Sequence, residues 1–327
     1  MKENFDNVSK PRRFIKPSRF AYVIAAIALL YLVREFEYAG LRRNKSGEFA
    51  KLRETFLEPH PCDILFIGSS RAECQFYPPV IDSATKLHSF NIGMMGATMP
   101  FIRAGFEAYL ENSPPPKYVV LNLDLHTFAD SPDTVYQFPR YFAYLSNEKL
   151  YEGLQYHDKR FRYFKALPFY SMPYFGSHYL DASLRGWLGR PGNYDSLYVQ
   201  GFSPSVPNNK AGDLDTMAMP PYASVPRPFV KENLDRIVQV CNAKHITLIL
   251  VISPLFHRWQ ESVINYDTLV DDFKCYAGDH QLLLLDLSND SLRDHAEYYA
   301  DPAHLNRMGA ILFSRHFSGV LTQYIGH

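Results

Sequence analysis

Three short segments carry residue types suited to acyl chemistry. The first is Gly68-Ser69-Ser70-Arg71, directly after the apolar run Asp63–Ile67. A strand that stops at glycine and turns into a helix leaves backbone N–H groups at its tip. A serine there has its hydroxyl at the carboxyl edge of a sheet, where open α/β folds bind ligands. Its own N–H can face a developing oxyanion. Taken alone, Gly-Ser-Ser is a weak signal, since most such serines are simple helix caps. The second segment is Asn91-Ile92-Gly93-Met94-Met95-Gly96-Ala97-Thr98. Its glycines allow close backbone approach to a substrate oxygen, and the plainer alternative is an ordinary strand-to-helix turn. The third is Asp301-Pro302-Ala303-His304. An Asp three residues before a His on a tight loop can orient the imidazole and stabilise its charged form. The His can then deprotonate a serine at a neighbouring strand tip. Its plainer alternative is a surface loop that caps a helix.

Five short apolar runs must position these segments: Asp63–Gly68, Leu87–Ile92, Tyr118–Leu125, Ile246–Ile252 and Gln281–Leu287. Continuous Val, Ile and Leu runs suit strands buried on both faces. Helical stretches at Pro100–Asn112, Pro228–Lys244 and Asn306–Tyr324 alternate with them. The pattern predicts an α/β fold: a three-layer α/β/α sandwich with about five parallel strands.

Residues 126–225 interrupt this pattern. A structureless loop of that length is not expected, so the stretch reads as an inserted cap or subdomain. It holds 21 of the 49 aromatic residues, which concentrates the chain's aromatic excess there. Those rings either pack a small cap or form a groove for sugar rings or an acyl chain. The N-terminus has its own pattern. Residues 1–19 carry six cations and two carboxylates, and an uncharged run follows from Phe20 to Val33. No small-residue cleavage site follows the run. The reading is an uncleaved signal anchor over 20–38, with a cytoplasmic tail 1–19 and the remainder outside the cytoplasm. Fourteen uncharged residues are short for a span of about 20, and Arg19 and Arg34 would have to snorkel. A buried helix of a soluble domain is the alternative. Residues 39–61 are polar and of mixed charge and read as a stalk or connecting helix, leaving 62–327 as the catalytic domain.

Lys+Arg and Asp+Glu both number 34, so the net charge is zero. That argues against nucleic-acid binding through a broad basic surface. With 46% hydrophobic and 21% charged residues the chain is not disordered. A strand separates Cys62 from Cys74, which puts them beyond bridging distance. A Cys241–Cys275 bridge stays open.

Together the three segments resemble the SGNH/GDSL hydrolase superfamily, over about residues 62–125 and 229–325. The resemblance implies a flavodoxin-like sandwich and a Ser-His-Asp triad. Gly68-Ser69-Ser70 matches the first block, which implies Ser70 as nucleophile. Gly96 matches the oxyanion-hole glycine, and Asp301 and His304 match the remaining triad members. The family's Gly-x-Asn-Asp after the third strand is absent. The chain has Leu121-Asn122-Leu123-Asp124 there, which leaves Asn122 a candidate oxyanion donor without the usual placement. The membrane anchor makes the chain similar to envelope-facing members that transfer acyl groups, such as D-alanyl transfer proteins of lipoteichoic acid modification and alginate-type O-acetyltransferases. Such proteins work beside a multi-spanning membrane acyltransferase. The implied activity is ester hydrolysis or O-acyl transfer on a cell-envelope glycan or polymer, with an acyl donor and a glycan acceptor as partners. The rival is a degenerate scaffold that binds glycan through the aromatic insert.

Arg71, Asp124 and Ser253 are further candidates for lining a substrate site at the same sheet edge. His257 reads as a surface residue. His295 and His304 lack a third placed ligand, so no metal is expected, and no nucleotide or dinucleotide motif implies a cofactor.

Overall fold

The five apolar runs form one parallel sheet. β1 (Ile64–Ile67), β2 (Ser89–Asn91), β3 (Tyr118–Leu123), β4 (Thr247–Ile252) and β5 (Leu283–Asp286) lie in the order β2-β1-β3-β4-β5. Each neighbouring pair is parallel. The structure, a computed structural model, describes residues 19–124, 135–192, 198–206, 213–225 and 228–325. Residues 1–18 of the expected cytoplasmic tail, Leu125 of the expected third strand and parts of the insert lie outside the described residues.

Alternation along the strands explains the layers. Leu65, Ile67, Val119, Leu121 and Leu250 face one side, beneath α5 (Met99–Asn112), α10 (Pro228–Ala243) and α12 (Tyr266–Asp279), with the short α11 (His257–Ser262) between the last two in the chain. Ile64, Phe66, Val120, Ile249 and Val251 face the other, beneath α3 (Ser70–Gln75), α4 (Pro78–Thr85) and α13 (Arg307–Leu321). Both faces are covered, so the strands need no polar alternation. The chain passes from β1 to β2 on one side and to β3 on the other. The crevice of such a sheet opens at that reversal, at the carboxyl end of β1.

The segment 39–61 is not a free stalk. It holds the end of α1 (Arg19–Arg43) and all of α2 (Gly47–Phe56), and Leu41, Phe49, Leu52 and Phe56 are buried in the same core as α5. Its charged residues disguised an apolar face. The first half of α1 differs: Phe20, Leu29 and Leu32 are 72, 60 and 67 % exposed. Among the described residues no helix is long and apolar enough to cross a membrane.

The insert contains a 3-10 turn at Phe138–Tyr144 and helices α6 (Glu148–His157), α7 (Phe161–Ala166), α8 (Pro168–Ser171) and α9 (Ser177–Leu188). Many of its rings meet each other. Phe142 and Phe164 have centroids 4.5 Å apart, and Phe138 lies 5.2 Å from Tyr174. Such rings fill the subdomain's own core and do not line a groove. All four cysteines are unbridged.

Candidate active site

The turn out of β1 depends on glycine. Gly68 has φ +150, and a Cβ there would sit 2.7 Å from Ala72 Cβ and 3.3 Å from Asn122 Cβ. A side chain would therefore separate α3 from β3. Ser69 then caps α3: its Oγ accepts from the Arg71 N–H at 3.3 Å and donates to Asp124 Oδ2 at 2.5 Å. The capping role thus falls to Ser69. Ser70 stands in the first turn, where its N–H has no helical carbonyl to serve. Its Oγ lies 2.7 Å from His304 Nε2.

His304 comes from a small hairpin. β6 (Tyr299–Asp301) and β7 (His304–Leu305) are antiparallel, with Asp301 opposite His304. The Asp301 oxygens Oδ2 and Oδ1 lie 2.8 and 2.9 Å from His304 Nδ1. Oδ1 also accepts the N–H groups of Ala303 and His304, at 2.9 and 3.0 Å. Burial acts to raise the Asp301 carboxyl, but the hydrogen bond and charge of His304, with the two backbone N–H groups, hold it below the ordinary carboxylate value. An ionised Asp301 fixes the imidazole proton on Nδ1 and leaves the Nε2 lone pair for Ser70. Asn306 anchors the hairpin's far side. It caps α13 by accepting from Gly309 N–H at 3.0 Å and donates to Glu297 O at 2.7 Å.

The second segment is tied to the first. Asn91 Nδ2 donates to the carbonyls of Ala72 and Phe76 at 2.8 and 3.1 Å, and Asn91 Oδ1 accepts from Gly93 N–H at 2.9 Å. Met94 N–H donates to Gly68 O at 3.1 Å. A turn closed by Ala97 N–H on Met94 O then puts Gly96 at φ +69, the turn position that favours glycine. A Cβ on Gly96 would lie 2.9 Å from Tyr136 Cβ. Tyr136, from the insert, is thus the neighbour of this glycine, and nothing in its sequence surroundings marked it.

Lys51 was also missed. Its Nζ, buried beneath the site, donates to Glu73 Oε1 at 3.1 Å and to Gly93 O. Burial pushes its amine below the usual lysine value. A lysine between Ala50 and Leu52 gives no sequence signal. Its burial follows from the partner Glu73, one turn along α3 from Ser70.

Other candidates take structural roles. Arg71 does not face solvent. It is buried, and Nη2 donates to Ser253 O, Ser253 Oγ and Pro254 O. This fastens α3 to the end of β4 and accounts for the buried Ser253 as well. Asp124 is committed to Ser69. Asn122 is fully buried behind Gly68, and neither amide atom has a partner, so it is not presented to an open oxyanion site. His257 lies 3.4 Å from Glu261 on the surface. Among the described residues no cluster of His, Cys, Asp and Glu could hold a metal ion.

The segment 198–206 straps across this edge. Ser203 N–H donates to Glu73 O at 3.2 Å, and Ser205 bridges to Asn306. Beside the strap opens a cleft of about 440 Å3 whose walls include Glu48, Phe49, His178, Tyr198 and Val206. No triad residue lines it.

No protein-family model matches this chain, and no curated protein matches it. Among solved structures it is similar to a protein assigned to the G-D-S-L lipolytic family from Desulfitobacterium hafniense DCB-2, with 12% identity, 79% of this chain and 98% of that one covered, and a TM-score of 0.40. A protein assigned as an acylhydrolase from Bacteroides fragilis NCTC 9343 matches at 12% identity, over 84% of this chain and 95% of its own, with a TM-score of 0.40. A GDSL-like lipase from Bacteroides thetaiotaomicron VPI-5482 matches at 9% identity, over 80% and 87%, with a TM-score of 0.39. Likenesses of this size carry no chemistry across, and the geometry of Ser70, His304 and Asp301 stands by itself.

Proposed function

We propose that this chain is a serine esterase or O-acyltransferase that acts on ester-linked acyl groups of a cell-envelope glycan or polymer. One observation carries the chemistry: the unbroken relay of Ser70 Oγ to His304 Nε2 at 2.7 Å and His304 Nδ1 to Asp301 Oδ2 at 2.8 Å. Ser70 Oγ attacks the ester carbonyl while Nε2 takes its proton. The N–H groups of Ser70 and Gly96 meet the oxyanion. The intermediate collapses as the imidazolium protonates the leaving alkoxide, and the acyl group stays on Ser70. A second acceptor, deprotonated by the same Nε2, then attacks the acyl group, the bond to Ser70 Oγ breaks, and the imidazolium returns its proton to Oγ. Water as acceptor gives hydrolysis and a sugar hydroxyl gives transfer.

The proposed placement is at a membrane that α1 enters by its apolar run Phe20–Val33, which falls short of a full span by itself, with the catalytic domain outside the cytoplasm. It is supported by the exposed apolar half of α1 and by the excess of cations before it. A multi-spanning acyltransferase would supply acyl groups at the same membrane.

Fluorophosphonate labelling of the purified protein tests the chemistry. One equivalent of label is expected, and none in Ser70→Ala. Labelling that survives Ser70→Ala overturns the nucleophile. Extraction of cell membranes with alkaline carbonate tests the anchor, and release of the protein into the wash rejects it.

A further inference from the structure

Helix α9 is amphipathic in the sense opposite to that of a helix facing water. It buries Ala182 and Ser183, while Leu180, Leu184, Trp187 and Leu188 are 41, 53, 39 and 63 % exposed. Positions 180, 184, 187 and 188 share one helical face. The small residues hold α9 against α1 at close range. Gly40 faces Ser183, and a Cβ on Gly186 would run into the Gly40 carbonyl. Ser183 Oγ donates to Glu37 O at 2.9 Å. Of the large side chains only Trp187 shares in that contact, against Gly40 and Phe36.

Their face continues that of α1. Leu32, Val33, Phe36 and Glu37 of α1, with Leu180, Ser183 and Leu184 of α9, line one groove of about 380 Å3 that is apolar except for Glu37 and Ser183. The groove ends in an aromatic and cationic rim. Trp187 stacks on Phe36 with centroids 4.9 Å apart, its indole N–H donates to Phe36 O at 3.0 Å, and the Arg43 guanidinium lies 4.0 Å from its ring centre. A tryptophan with its polar atom satisfied and a cation on its face, at the end of an exposed apolar run, matches the chemistry of a membrane–water boundary. The acid on this helix is neutralised, since Asp181 Oδ2 accepts from Arg185 Nε at 2.6 Å.

We infer that α9 lies in the interfacial layer of the bilayer that α1 enters, with Leu180, Leu184 and Leu188 among the acyl chains and Trp187 at headgroup level. The occupant of this face is phospholipid. The inference rests on the reading of α1 as a membrane anchor. It changes the consequence of that anchor, because two helices packed together on one bilayer fix the domain's tilt, whereas one helix lets it swing.

The two tryptophans make the test direct. Trp259→Phe leaves Trp187 as the only indole in the chain. The full-length variant is reconstituted into vesicles of phosphatidylcholine and phosphatidylglycerol, with or without acyl chains brominated close to the headgroup. Brominated lipid is expected to quench Trp187 emission about twofold. Adding Leu180→Ser, Leu184→Ser and Leu188→Ser should abolish most of that quenching, with circular dichroism unchanged. If the triple variant misfolds, Leu188→Ser alone at the helix end serves, with a partial loss expected. Protein that resists carbonate but shows no quenching overturns the α9 placement and leaves the anchor intact. Quenching that the serine variants do not reduce also overturns it. Release by carbonate removes the anchor and the inference together.

Discussion

Exchanging Asp301 for Asn separates shape from charge at the candidate site. Oδ1 of Asp301 accepts two backbone N–H groups, at 2.9 and 3.0 Å. Those groups need an acceptor, so the amide oxygen of Asn must take the Oδ1 position. The amide NH2 then falls at the Oδ2 position, 2.8 Å from His304 Nδ1. An NH2 donates, so the nearer contact favours Nδ1 as an acceptor over its 2.9 Å contact with the amide oxygen, and the ring proton moves to Nε2. Nε2 then donates toward Ser70 Oγ and can no longer receive its proton. The same exchange in a serine-protease triad lowers kcat about 10⁴-fold. Here the Asp301 side chain is 36 % exposed, so water screens part of its field, and a loss of about 10³-fold is expected. That corresponds to about 4 kcal/mol of transition-state stabilisation.

Two assays read this loss: the rate of fluorophosphonate labelling, and the initial rate of p-nitrophenyl acetate hydrolysis at neutral pH. Both need the Ser70 alkoxide, so both should fall by a similar factor. The backbone bonds survive the exchange, so the thermal midpoint should hardly move. A labelling rate within tenfold of the unmodified protein would refute the role given to Asp301. So would a fall in both rates that matches a collapse of the thermal midpoint.

Three further outcomes are expected. Lys51→Met leaves Glu73 buried without its cation and should cost about 3–5 kcal/mol in urea unfolding. The double variant Lys51→Met/Glu73→Leu should recover most of that loss, and no recovery would count against the pair. His60 is pushed down to about 4, first by burial and then by His88 and Arg53. Between about pH 6.5 and 4 the unfolded chain therefore binds a proton that the folded chain refuses, so stability falls on acidification through that window and levels off below it. The ring is a quarter exposed and Glu54 lies 3.7 Å away, so the loss is on the order of 2 kcal/mol, and His60→Phe should flatten that limb of the pH–stability curve. Gly96→Ala should slow fluorophosphonate labelling about tenfold or more, because φ +69 and the Tyr136 Cβ both oppose the new methyl group. Adding Tyr136→Gly should restore part of the rate, and unchanged labelling in Gly96→Ala would detach this turn from the oxyanion.

The sheet was legible because strands buried on both faces leave an unmistakable trace. Each of the five apolar runs contains an observed strand, with ends shifted by at most two residues. The hairpin residues were also legible, since an Asp-x-x-His contact is local and needs only one tight turn. Long-range commitments were not. Whether Arg71 meets solvent or the carbonyls of Ser253 and Pro254 depends on where β4 ends beside α3, 182 residues away in sequence. Lys51 looked like a stalk residue because its partners, Glu73 and Gly93, are brought to it only by folding. The aromatic insert left two readings open for another reason. A count of rings does not distinguish those facing a ligand from those facing each other, and Phe138, Phe142 and Phe164 face each other.

One mechanical consequence follows from the burial of α2. Helix α1 ends at Arg43 and α2 begins at Gly47, leaving three residues between them. Those three are not slack: Asn44 is buried, its N–H donates to Gly40 O at 3.1 Å, and its Nδ2 donates to Ala182 O at 2.8 Å. From Gly47 the path to Lys51 is four residues of helix, and Lys51 bonds to Gly93 and Glu73. Glu73 lies three residues after Ser70. A displacement of α1 relative to the sheet therefore has no flexible hinge in which to dissipate. It bears on the buried Lys51–Glu73 pair and on the Gly93 carbonyl, three residues before Gly96. On the anchored reading proposed above, the nucleophile's distance from the bilayer is set by this chain of buried contacts, so substrates that reach Ser70 are those whose acyl ester lies at that fixed height.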